Sequence, residues 1–328
     1  MRTNDPRLYD ASRDYASVSG RDLHIDGLLS NLSIGYRSEG MIWDKIFPIV
    51  PVNKQSDGYP IWSRADFLRP ENAVRAPKAR ANRITAGVST DTYFAKNFAL
   101  GIETAWEDLA NADEAFGLRE VNTNLIQDNL NMNAEIRMAG RVLNLAAVSS
   151  SQTLGSNYSN IGATNPIDDM DNGIEAVRTQ TGLRPNKAIF GPQTWLRFRK
   201  HPDLIDFIRG KGDNVGGGGV TEAQVAAQWG LNEVLVGNGI QNTAQEGAAA
   251  VMSDIWSTHI VLMHVAARPN RMTPSFGYTF QWRPAGFPAP FTVRRYDEEP
   301  EMIEVQEVMH FQDEKIVAPE LAFIIVGG

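Results

Sequence analysis

The chain has 328 residues, of which 42% are hydrophobic and 21% charged, and this balance is ordinary for a globular protein with a sizeable core. Its formal net charge of -8 argues against a dedicated duplex-DNA binder, because such proteins usually carry a basic face. It contains no cysteine, which excludes disulfides and thiolate chemistry, and no run of about 18 apolar residues, so we expect no membrane span.

Residues 1–50 are predicted to form an N-terminal arm rather than a core element. Apolar side chains such as Leu8, Leu28 and Leu32 are scattered through an otherwise polar stretch. A short apolar anchor, MIWDKIFPIVPV, runs from Met41 to Val52 and ends in two prolines. Because proline fixes φ and restricts the residue before it, this anchor is expected to be extended.

Residues 51–95 are predicted to form an extended loop that projects from the body as a long hairpin. The segment shows no helical periodicity, and GYPIWSRADFLR has partial strand character. An isolated two-stranded hairpin is only marginally stable in water, so this one needs another surface to lie on.

Charge is distributed unevenly along the chain. From Pro51 to Thr90 there are seven basic and three acidic residues, whereas from Phe291 to Glu320 there are three basic and nine acidic residues. Two solvated faces would account for this pattern. The alternative is a pair of complementary surfaces that meet between copies of the chain.

The strongest helical signal lies within residues 96–165, after a strand predicted around residues 93–102. Asn111 or Asp113 is positioned to cap a helix of about 35 residues, which is roughly 50 Å long at 1.5 Å per residue. One face is rich in asparagine and glutamine, so the helix is expected to bury only the other side. The predicted apolar stripe consists of Leu118, Val121, Leu125, Met132, Ile136, Ala139, Leu143 and Ala146.

The pattern changes to alternating helices and strands over residues 166–267. Pro166 suits a first helical position, and Gly182 suits the end of that helix. Thr221 and Gln224 form a capping box at the start of a later helix. The stretches KAIFG, EVLVG and HIVLMHVA are typical of short strands.

Residues 268–328 return to a strand-rich pattern. SFGYTFQWR, PFTVRRYD and EMIEVQEVMHFQ each indicate a strand. Alternation in Ile303, Val305, Glu307 and Met309 supports antiparallel pairing.

The glycine-rich run GKGDNVGGGG, residues 210–219, does not match a phosphate-binding loop. A P-loop places lysine and a hydroxyl residue after its glycines, whereas here Lys211 precedes most of them. VLVGNGIQNTA starts like a dinucleotide-binding turn but has Asn242 where the third glycine is needed. A nucleotide-binding α/β enzyme that uses residues 166–267 stays open as an alternative.

Candidate catalytic and metal-binding residues are sparse. No G-x-S-x-G nucleophile motif occurs, and three carboxylates near residue 168 are typical of the first turn of a helix. The sequence therefore predicts no enzyme, no cofactor and no metal site. The histidines show no metal-ligand spacing; they are His24, His201, His259, His264 and His310.

The order of these segments resembles the tailed-phage major capsid proteins, which have the Hong Kong 97-type fold. Four stretches carry the resemblance: NFALGIETAWEDLANAD, PNKAIFGPQTWLRFRKHPDLIDFIRG, VLVGNGIQNTA and PSFGYTFQWR. The resemblance covers nearly the whole chain and implies an α+β fold. The implied domains are an N-terminal arm (1–50), an extended β-hairpin loop (51–95), a peripheral domain with a spine helix (96–165), an inserted α/β axial domain (166–267) and a return to the peripheral domain (268–328).

The resemblance implies a structural protein that assembles into hexamers and pentamers. These would close an icosahedral shell around packaged double-stranded DNA, held without sequence specificity, in a virion assembled in the host cytoplasm and without a membrane. Separate scaffolding, portal and decoration proteins are further partners that the family admits. Because only residues 1–50 precede the loop, we expect scaffolding by a separate protein or by none. The lysine crosslink of some relatives is not carried over to Lys54 or Lys78.

The resemblance also places candidate contact residues between subunits. The loop would lie over an adjacent subunit, whose acidic tail would receive it. Gly216, Gly217, Gly218 and Gly219 would lie at the capsomer centre, where glycine's conformational freedom lets one sequence fit rings of five and six. An encapsulin nanocompartment, which shares the fold and encloses cargo enzymes, is an alternative. The proposed contact residues are Lys54, Arg64, Arg69, Arg75, Lys78 and Arg80, with Glu298, Glu299, Glu301 and Glu304.

Overall fold

The computed structural model describes residues 40–327, except residues 63, 72, 76, 79, 82, 86, 112–116, 211–217, 246, 270–272 and 285–290. The chain divides into two compact units. Among the described residues, unit one lies within 97–133 and 291–310, and unit two lies within 40–96, 134–284 and 311–327.

The described part of the chain mixes helices and strands, as expected for an α+β fold. The helices are α1 (Trp43–Ile46), α2 (Arg64–Phe67), α3 (Trp106–Asn111), α4 (Leu118–Val142), α5 (Pro166–Thr181), α6 (Pro192–Phe198), α7 (Pro202–Arg209) and α8 (Glu222–Trp229). The strands are β1 (Ile49–Val52), β2 (Ser56–Trp62), β3 (Val88–Phe94), β4 (Lys96–Ala105), β5 (Ser150–Thr153), β6 (Lys187–Phe190), β7 (Glu233–Val236), β8 (Ile240–Asn242), β9 (Met252–Asp254), β10 (His259–Met263), β11 (Gly277–Trp282), β12 (Thr292–Glu298), β13 (Ile303–Ile316) and β14 (Ala322–Val326).

Unit two contains a mixed sheet in the order β5-β14-β10-β6-β7. The central strand β10 is antiparallel to both β14 and β6, while the outer pairs β14-β5 and β6-β7 are parallel. Apolar residues of β10 and β14 alternate little along the strand, because both faces of these strands are covered. Helix α5 packs so closely on this sheet that a β-carbon at Gly173 would lie 2.6 Å from Leu262.

Local signals position the helices of this region where the sequence predicts them. Asn165 caps α5 by accepting hydrogen bonds from the N–H groups of Ile167 and Asp168, and Gly182 ends the helix in a left-handed conformation at φ 75°. Thr221 and Gln224 form the predicted capping box at the start of α8. The structure confirms these predictions. They could be made from the sequence because each depends on only a few neighbouring residues.

Strand β13 runs through both units and pairs differently in each. In unit one, its residues 303–309 are antiparallel to β12, and β4 also pairs with it. In unit two, its residues 312–316 are antiparallel to β11, which is parallel to β1. The tail is therefore a set of strands, as predicted.

The long helix α4 is shorter than predicted, and it buries Ala139 of the predicted stripe but otherwise a different set of residues. It has 25 residues and ends at Val142, after which Asn144 caps a short 3-10 turn. Leu125 of the predicted stripe is 53% exposed. The buried stripe recurs every fourth residue and consists of Ile126, Leu130, Ala134, Met138 and Val142.

The error in the stripe has a simple geometric cause. A shift of one residue rotates the buried face by about 100°, and the predicted spacings of three, four and seven residues fit more than one face of a helix. The predicted cap is also wrong for Asn111, which is the last residue of α3. Helix α4 begins directly after Gly117, whose φ is 50°. Asp113 lies outside the described residues.

Arginines of α4 hold buried carboxylates of β13 within each unit. In unit one, Arg119 binds Glu304 through two hydrogen bonds of 2.9 and 2.8 Å. In unit two, Arg137 donates to Glu314 at 3.2 Å, and Arg141 lies 3.4 Å from Asp313. Because Glu314 is 1% exposed, its charge depends on these partners.

Replacing Arg137 by alanine is expected to destabilise the chain by about 3 kcal/mol, because it leaves the buried carboxylate of Glu314 with the neutral amide of Gln312 at 2.9 Å and with Arg141 at 3.8 Å. Urea denaturation of the unassembled protein measures this change as a lower midpoint. The control is Arg178→Ala, which removes an exposed pair with Glu175 on α5 and should cost no more than about 1 kcal/mol. Equal effects of the two substitutions would contradict the role given to Arg137.

Candidate functional site

The described residues offer little that resembles an enzyme site. Among them, no cluster of three or more histidine or carboxylate side chains is arranged to hold a metal ion. The turn after β7 leads into the short strand β8, whereas a dinucleotide-binding turn leads into a helix. Within the described ranges, no helix combines the length and apolarity that crossing a bilayer requires.

The histidines lie in separate environments. His201 is buried between α6 and α7, and burial lowers its pKa despite the carboxylate of Asp203 at 3.8 Å. His310 packs between the rings of Phe98 and Phe291 in unit one. His24 lies outside the described residues.

The extended loop is a two-stranded hairpin, as predicted. Strands β2 and β3 are antiparallel, with a register that runs from Ser56 opposite Phe94 to Trp62 opposite Val88. Between them, residues 63–87 contain only the one-turn helix α2 among the residues described. Trp282 donates a hydrogen bond to the carbonyl of Asn53, and Phe94 donates one to Asp313, so the start of β2 and the end of β3 lie next to the sheet that contains β11.

Aromatic side chains fix the root of the hairpin to that sheet. The ring of Tyr93 stacks on Phe280 at 4.6 Å, and Tyr59 packs against the same ring at 5.3 Å. The hydroxyl of Tyr59 also donates a 2.7 Å hydrogen bond across the strands to Asp91. This bond holds the pKa of Asp91 below its ordinary value of 3.8. These contacts hold the root of the hairpin against the sheet.

The basic residues of the hairpin are exposed, and three of them have local acidic partners. Lys54 lies 3.1 Å from Asp57, Arg69 lies 3.9 Å from Asp66, and Arg64 lies 3.9 Å from Glu320. The other three predicted contact residues are exposed in the segment between the strands; they are Arg75, Lys78 and Arg80.

The segment between the strands also exposes apolar side chains. Val74 is 83% exposed and Ile84 is 72% exposed. A basic segment that presents large apolar side chains to water is typical of a surface that binds another molecule.

The acidic residues of the tail gather at the turn between β12 and β13 in unit one. Glu299 and Glu301 are exposed, and Glu298 is half-buried. Burial, a hydrogen bond with Glu301 and repulsion from Glu301 and Glu103 raise the pKa of Glu298. The turn is therefore an exposed cluster of like charges that a cation from outside would stabilise.

Glu304 differs from the other three predicted acidic contacts. Its side chain is 5% exposed and is held by Arg119 of the same unit, with Arg295 at 3.9 Å. The negative charge of Glu304 is thus already paired within the chain. Glu304, Val305 and Gln306 are all buried at this end of β13, whereas Glu299 and Glu301 in the turn face water.

The glycine-rich run is only partly described, since Gly216 and Gly217 lie outside the described residues. At its end, Val220 donates a 2.9 Å hydrogen bond to the carbonyl of Arg199. A β-carbon at Gly219 would lie 2.7 Å from that same carbonyl oxygen. Gly219 is therefore required by close packing at the base of the loop.

No family model matches the chain, but known proteins do. It is 24% identical to the major capsid protein of Burkholderia phage BcepMu over 267 residues, which cover 78% of this chain and 83% of the relative. It is 27% identical to the major capsid protein of Pseudomonas phage JBD67 over 275 residues, which cover 81% and 85%.

Solved structures share the architecture over most of the chain. A phage-related protein from Bordetella bronchiseptica RB50 matches with a TM-score of 0.67 at 23% identity, covering 92% of this chain and 96% of that one. The capsid of cyanophage P-SCSP1u matches with a TM-score of 0.61 at 10% identity, covering 89% of each. This chain is related to phage major capsid proteins and shares their fold. An encapsulin from Synechococcus elongatus PCC 7942 also has this architecture, with a TM-score of 0.54 at 12% identity over 86% of this chain and 85% of that one.

Sequence reasoning predicted only some of the features that the structure shows. The exposed basic hairpin and the exposed acidic turn are both present, each within its own unit. The aromatic root of the hairpin and the arginine–carboxylate pairs of α4 and β13 carry no sequence signal of their own. They join residues that are far apart in the chain, so only the tertiary structure reveals them.

Removing the hydroxyl of Tyr59 is expected to loosen the hairpin root of the capsid fold. A carboxylate whose pKa is lowered in the folded state adds stability above its ordinary value of 3.8, and that stability is lost as the pH falls below it. Amide hydrogen exchange in β2 and β3, expressed relative to the intrinsic exchange rate at each pH, should therefore quicken as the pH falls from about 6 toward about 3. Tyr59→Phe should quicken it about fivefold at pH 6, since one hydrogen bond contributes about 1 kcal/mol.

Tyr296→Phe on β12 is the matched control for this experiment. Its ring lies 5.0 Å from the guanidinium of Arg294, in the other unit. The control should leave exchange in the hairpin unchanged. If Tyr59→Phe behaves like this control at every pH, the bond to Asp91 does not hold the root.

Proposed function

We propose that this chain is a major capsid protein that assembles into hexamers and pentamers and closes an icosahedral shell around packaged phage DNA. The observation that carries the proposal is the similarity to phage major capsid proteins over 78–81% of the chain. The capsid fold over about nine-tenths of the chain supports it independently. The role is structural, since the relatives named above are shell components.

In the proposed assembly, the hairpin of one subunit lies over a neighbouring subunit. The exposed basic side chains within residues 63–87 support this contact, and so do the exposed side chains of Val74 and Ile84. Covering apolar side chains removes them from water, which is favourable. The acidic turn of the neighbour, with Glu298, Glu299 and Glu301, is the surface of opposite charge. Glu304 contributes to the fold of its own chain through Arg119, so we assign it no contact between subunits.

Weak contacts are sufficient for a closed shell. Each exposed ion pair contributes about 0–1 kcal/mol, but the contact is repeated at every subunit of the particle. Screening by salt acts on such exposed pairs, since the Debye length falls to about 8 Å at physiological ionic strength. Assembly should therefore depend on salt concentration.

The remaining assignments follow the capsid fold. The proposed domains are the arm (1–50), the loop (51–95), the peripheral domain (96–165 with 268–328) and the axial domain (166–267). The glycines 216–219 would lie near the centre of each capsomer, with Gly219 serving the base of the loop. Assembly would occur in the host cytoplasm, with scaffolding, portal and decoration proteins as candidate partners.

An encapsulin-like compartment is the second candidate, because an encapsulin also has this architecture. The two functions differ in what the shell encloses, since a phage capsid holds DNA and an encapsulin holds protein. The sequence relatives reported above are phage proteins, and this favours DNA.

Reversing the charge of the hairpin is expected to impair assembly. The double variant Arg75→Glu with Arg80→Glu should raise the protein concentration needed for shell formation about tenfold, because two exposed pairs together contribute about 1–2 kcal/mol. Light scattering and electron microscopy of the purified protein measure this threshold. Adding Glu298→Lys and Glu299→Lys to the same chain should restore assembly at low salt.

A charge reversal elsewhere is the control. Arg178→Glu changes an exposed residue of α5 that pairs with its neighbour Glu175. It should leave the threshold unchanged. An unaltered threshold in the hairpin variant, or no rescue by the acidic-turn substitutions, would remove the proposed contact while leaving the shell itself open to other contacts.

The content of the particle decides between the two candidate functions. Particles purified from infected or lysogenic cells should hold nuclease-protected double-stranded DNA if this is a capsid protein. Nuclease digestion followed by phenol extraction and gel analysis measures it, with particles opened before digestion as the control. Particles that hold a defined protein and no protected DNA would favour the encapsulin-like compartment instead.

A further inference from the structure

Strand β12 is an open edge of the sheet in unit one. It is antiparallel to β13, with a register that runs from Thr292 opposite Met309 to Glu298 opposite Ile303. In the described part of the chain, no strand pairs with the other side of β12. An open edge presents backbone N–H and C=O groups without strand partners, and a strand of another molecule can pair with them.

The charges along β12 change sign about its aromatic residue. The strand reads TVRRYDE, so two arginines precede Tyr296 and two carboxylates follow it. Charged side chains on an edge strand normally repel a second copy of the same strand. Here that repulsion applies to a parallel copy in register, which sets like charges opposite each other. An antiparallel copy reverses the order of the charges.

Antiparallel pairing centred on Tyr296 sets every charge of the strand opposite its counterion. Positions equally distant from the centre face each other, so Arg295 of one copy lies opposite Asp297 of the other. Arg294 likewise lies opposite Glu298, and two-fold symmetry repeats both pairs. Tyr296 faces Tyr296 of the second copy, and aromatic pairs directly across two strands are favourable.

Strand geometry excludes the neighbouring registers. In an antiparallel ladder, only alternate residues direct their backbone N–H and C=O groups to the open edge. A symmetric pair of identical strands can therefore slip by two residues but not by one. A slip of two residues places Arg295 opposite Arg295 or Asp297 opposite Asp297, and like charges directly opposite are destabilising.

The charged side chains of the strand are available to a partner. Nε of Arg295 lies 3.9 Å from Glu304, which Arg119 already binds. The guanidinium of Arg294 lies 5.0 Å from the ring of Tyr296. The exposed residues of the strand are Val293, Arg294, Arg295 and Asp297.

Helix α4 leaves room beside this edge. An open crevice of about 630 Å³ lies between the helix and the strand. Arg119 and Thr123 line it from α4, and Val293 and Arg295 line it from β12. Side chains of a second strand therefore have space on the face of the sheet that α4 covers.

We propose that β12 pairs with β12 of a second copy of this chain, antiparallel and centred on Tyr296, so that the sheet of unit one continues across a two-fold axis. The central pairs, Arg295 with Asp297, use no residue of the acidic turn. Glu299 and Glu301 stay open to the hairpin of a neighbouring subunit. One strand edge is a small interface, so the pair is weak and forms in concentrated protein. It does not depend on a closed shell.

A single cysteine at the centre of the pairing tests this register, since the chain contains no cysteine of its own. Tyr296→Cys sets two cysteines directly opposite, with α-carbons about 4.5–5.5 Å apart, a distance that a disulfide spans. Concentrated, unassembled full-length protein should form a disulfide-linked dimer on mild oxidation, measured on non-reducing gels. The control is Val293→Cys, which is also exposed. Its cysteines would lie about 20 Å apart along the strands and should link at least about tenfold more slowly.

Charge variants in the Tyr296→Cys chain test the partners. Asp297→Arg sets arginine opposite Arg295 and should slow dimer formation about tenfold, because two attractive pairs become repulsive. Adding Arg295→Asp restores opposite charges and should restore the rate. Neither residue belongs to the acidic turn, so these variants leave the proposed hairpin contact unchanged.

A second measurement needs no cysteine and keeps the test decisive if Tyr296→Cys folds poorly. One chain carries an all-basic strand, with Asp297→Lys and Glu298→Lys. The other carries an all-acidic strand, with Arg294→Glu and Arg295→Glu. Each alone should sediment as a monomer at low salt, whereas an equimolar mixture should form a heterodimer.

Four results would overturn the pairing: no dimer of Tyr296→Cys, an equal rate for Val293→Cys, no rescue by Arg295→Asp, or a mixture that sediments like its components. Electron microscopy of the same preparations separates this outcome from the proposed function. Intact shells without the strand pair would leave the capsid role standing. A strand pair without shells would leave the pairing standing.

Discussion

The row of buried carboxylates on β13 is the constraint on which much of this architecture depends. A carboxylate in a dry environment is tolerated only with partners, and here the partners come from other elements. Arg137 and Arg141 of α4 reach Glu314 and Asp313, and Asp313 also accepts the backbone N–H of Phe94 at 3.0 Å. One short stretch of strand thus fixes both the second half of the long helix and the end of the hairpin. Arg119 and Glu304 repeat the arrangement within unit one.

Much of the fold follows from signals that act over a few residues. Helices α5 and α8 are predicted correctly from a proline at the first helical position, from asparagine and threonine caps, and from a left-handed glycine. Each of these signals concerns only the unpaired backbone N–H and C=O groups at one end of a helix. The face that α4 buries could not be predicted in this way. Ile126 and Leu125 differ little as side chains, and only the elements packed against the helix decide which of them is buried.

The candidate assembly surfaces also combine features that the sequence predicts with features that only the tertiary structure shows. Counting charges along the sequence locates a basic loop and an acidic tail, but it treats every charge alike. The structure separates charges that the chain uses itself from charges that it presents to water. Glu304 is paired with Arg119, and Arg64 lies near Glu320. Glu299 and Arg75, in contrast, are exposed to water.

The packing of Gly219 against the carbonyl of Arg199 has a consequence for how this gene can vary. Every single-base change that alters a glycine codon either ends translation or introduces a residue with a β-carbon, and here that atom would lie 2.7 Å from a carbonyl oxygen. The codon for Gly219 should therefore tolerate few changes. Glycine should persist at position 219 among the descendants of this gene, since every replacement would bring a β-carbon into that contact.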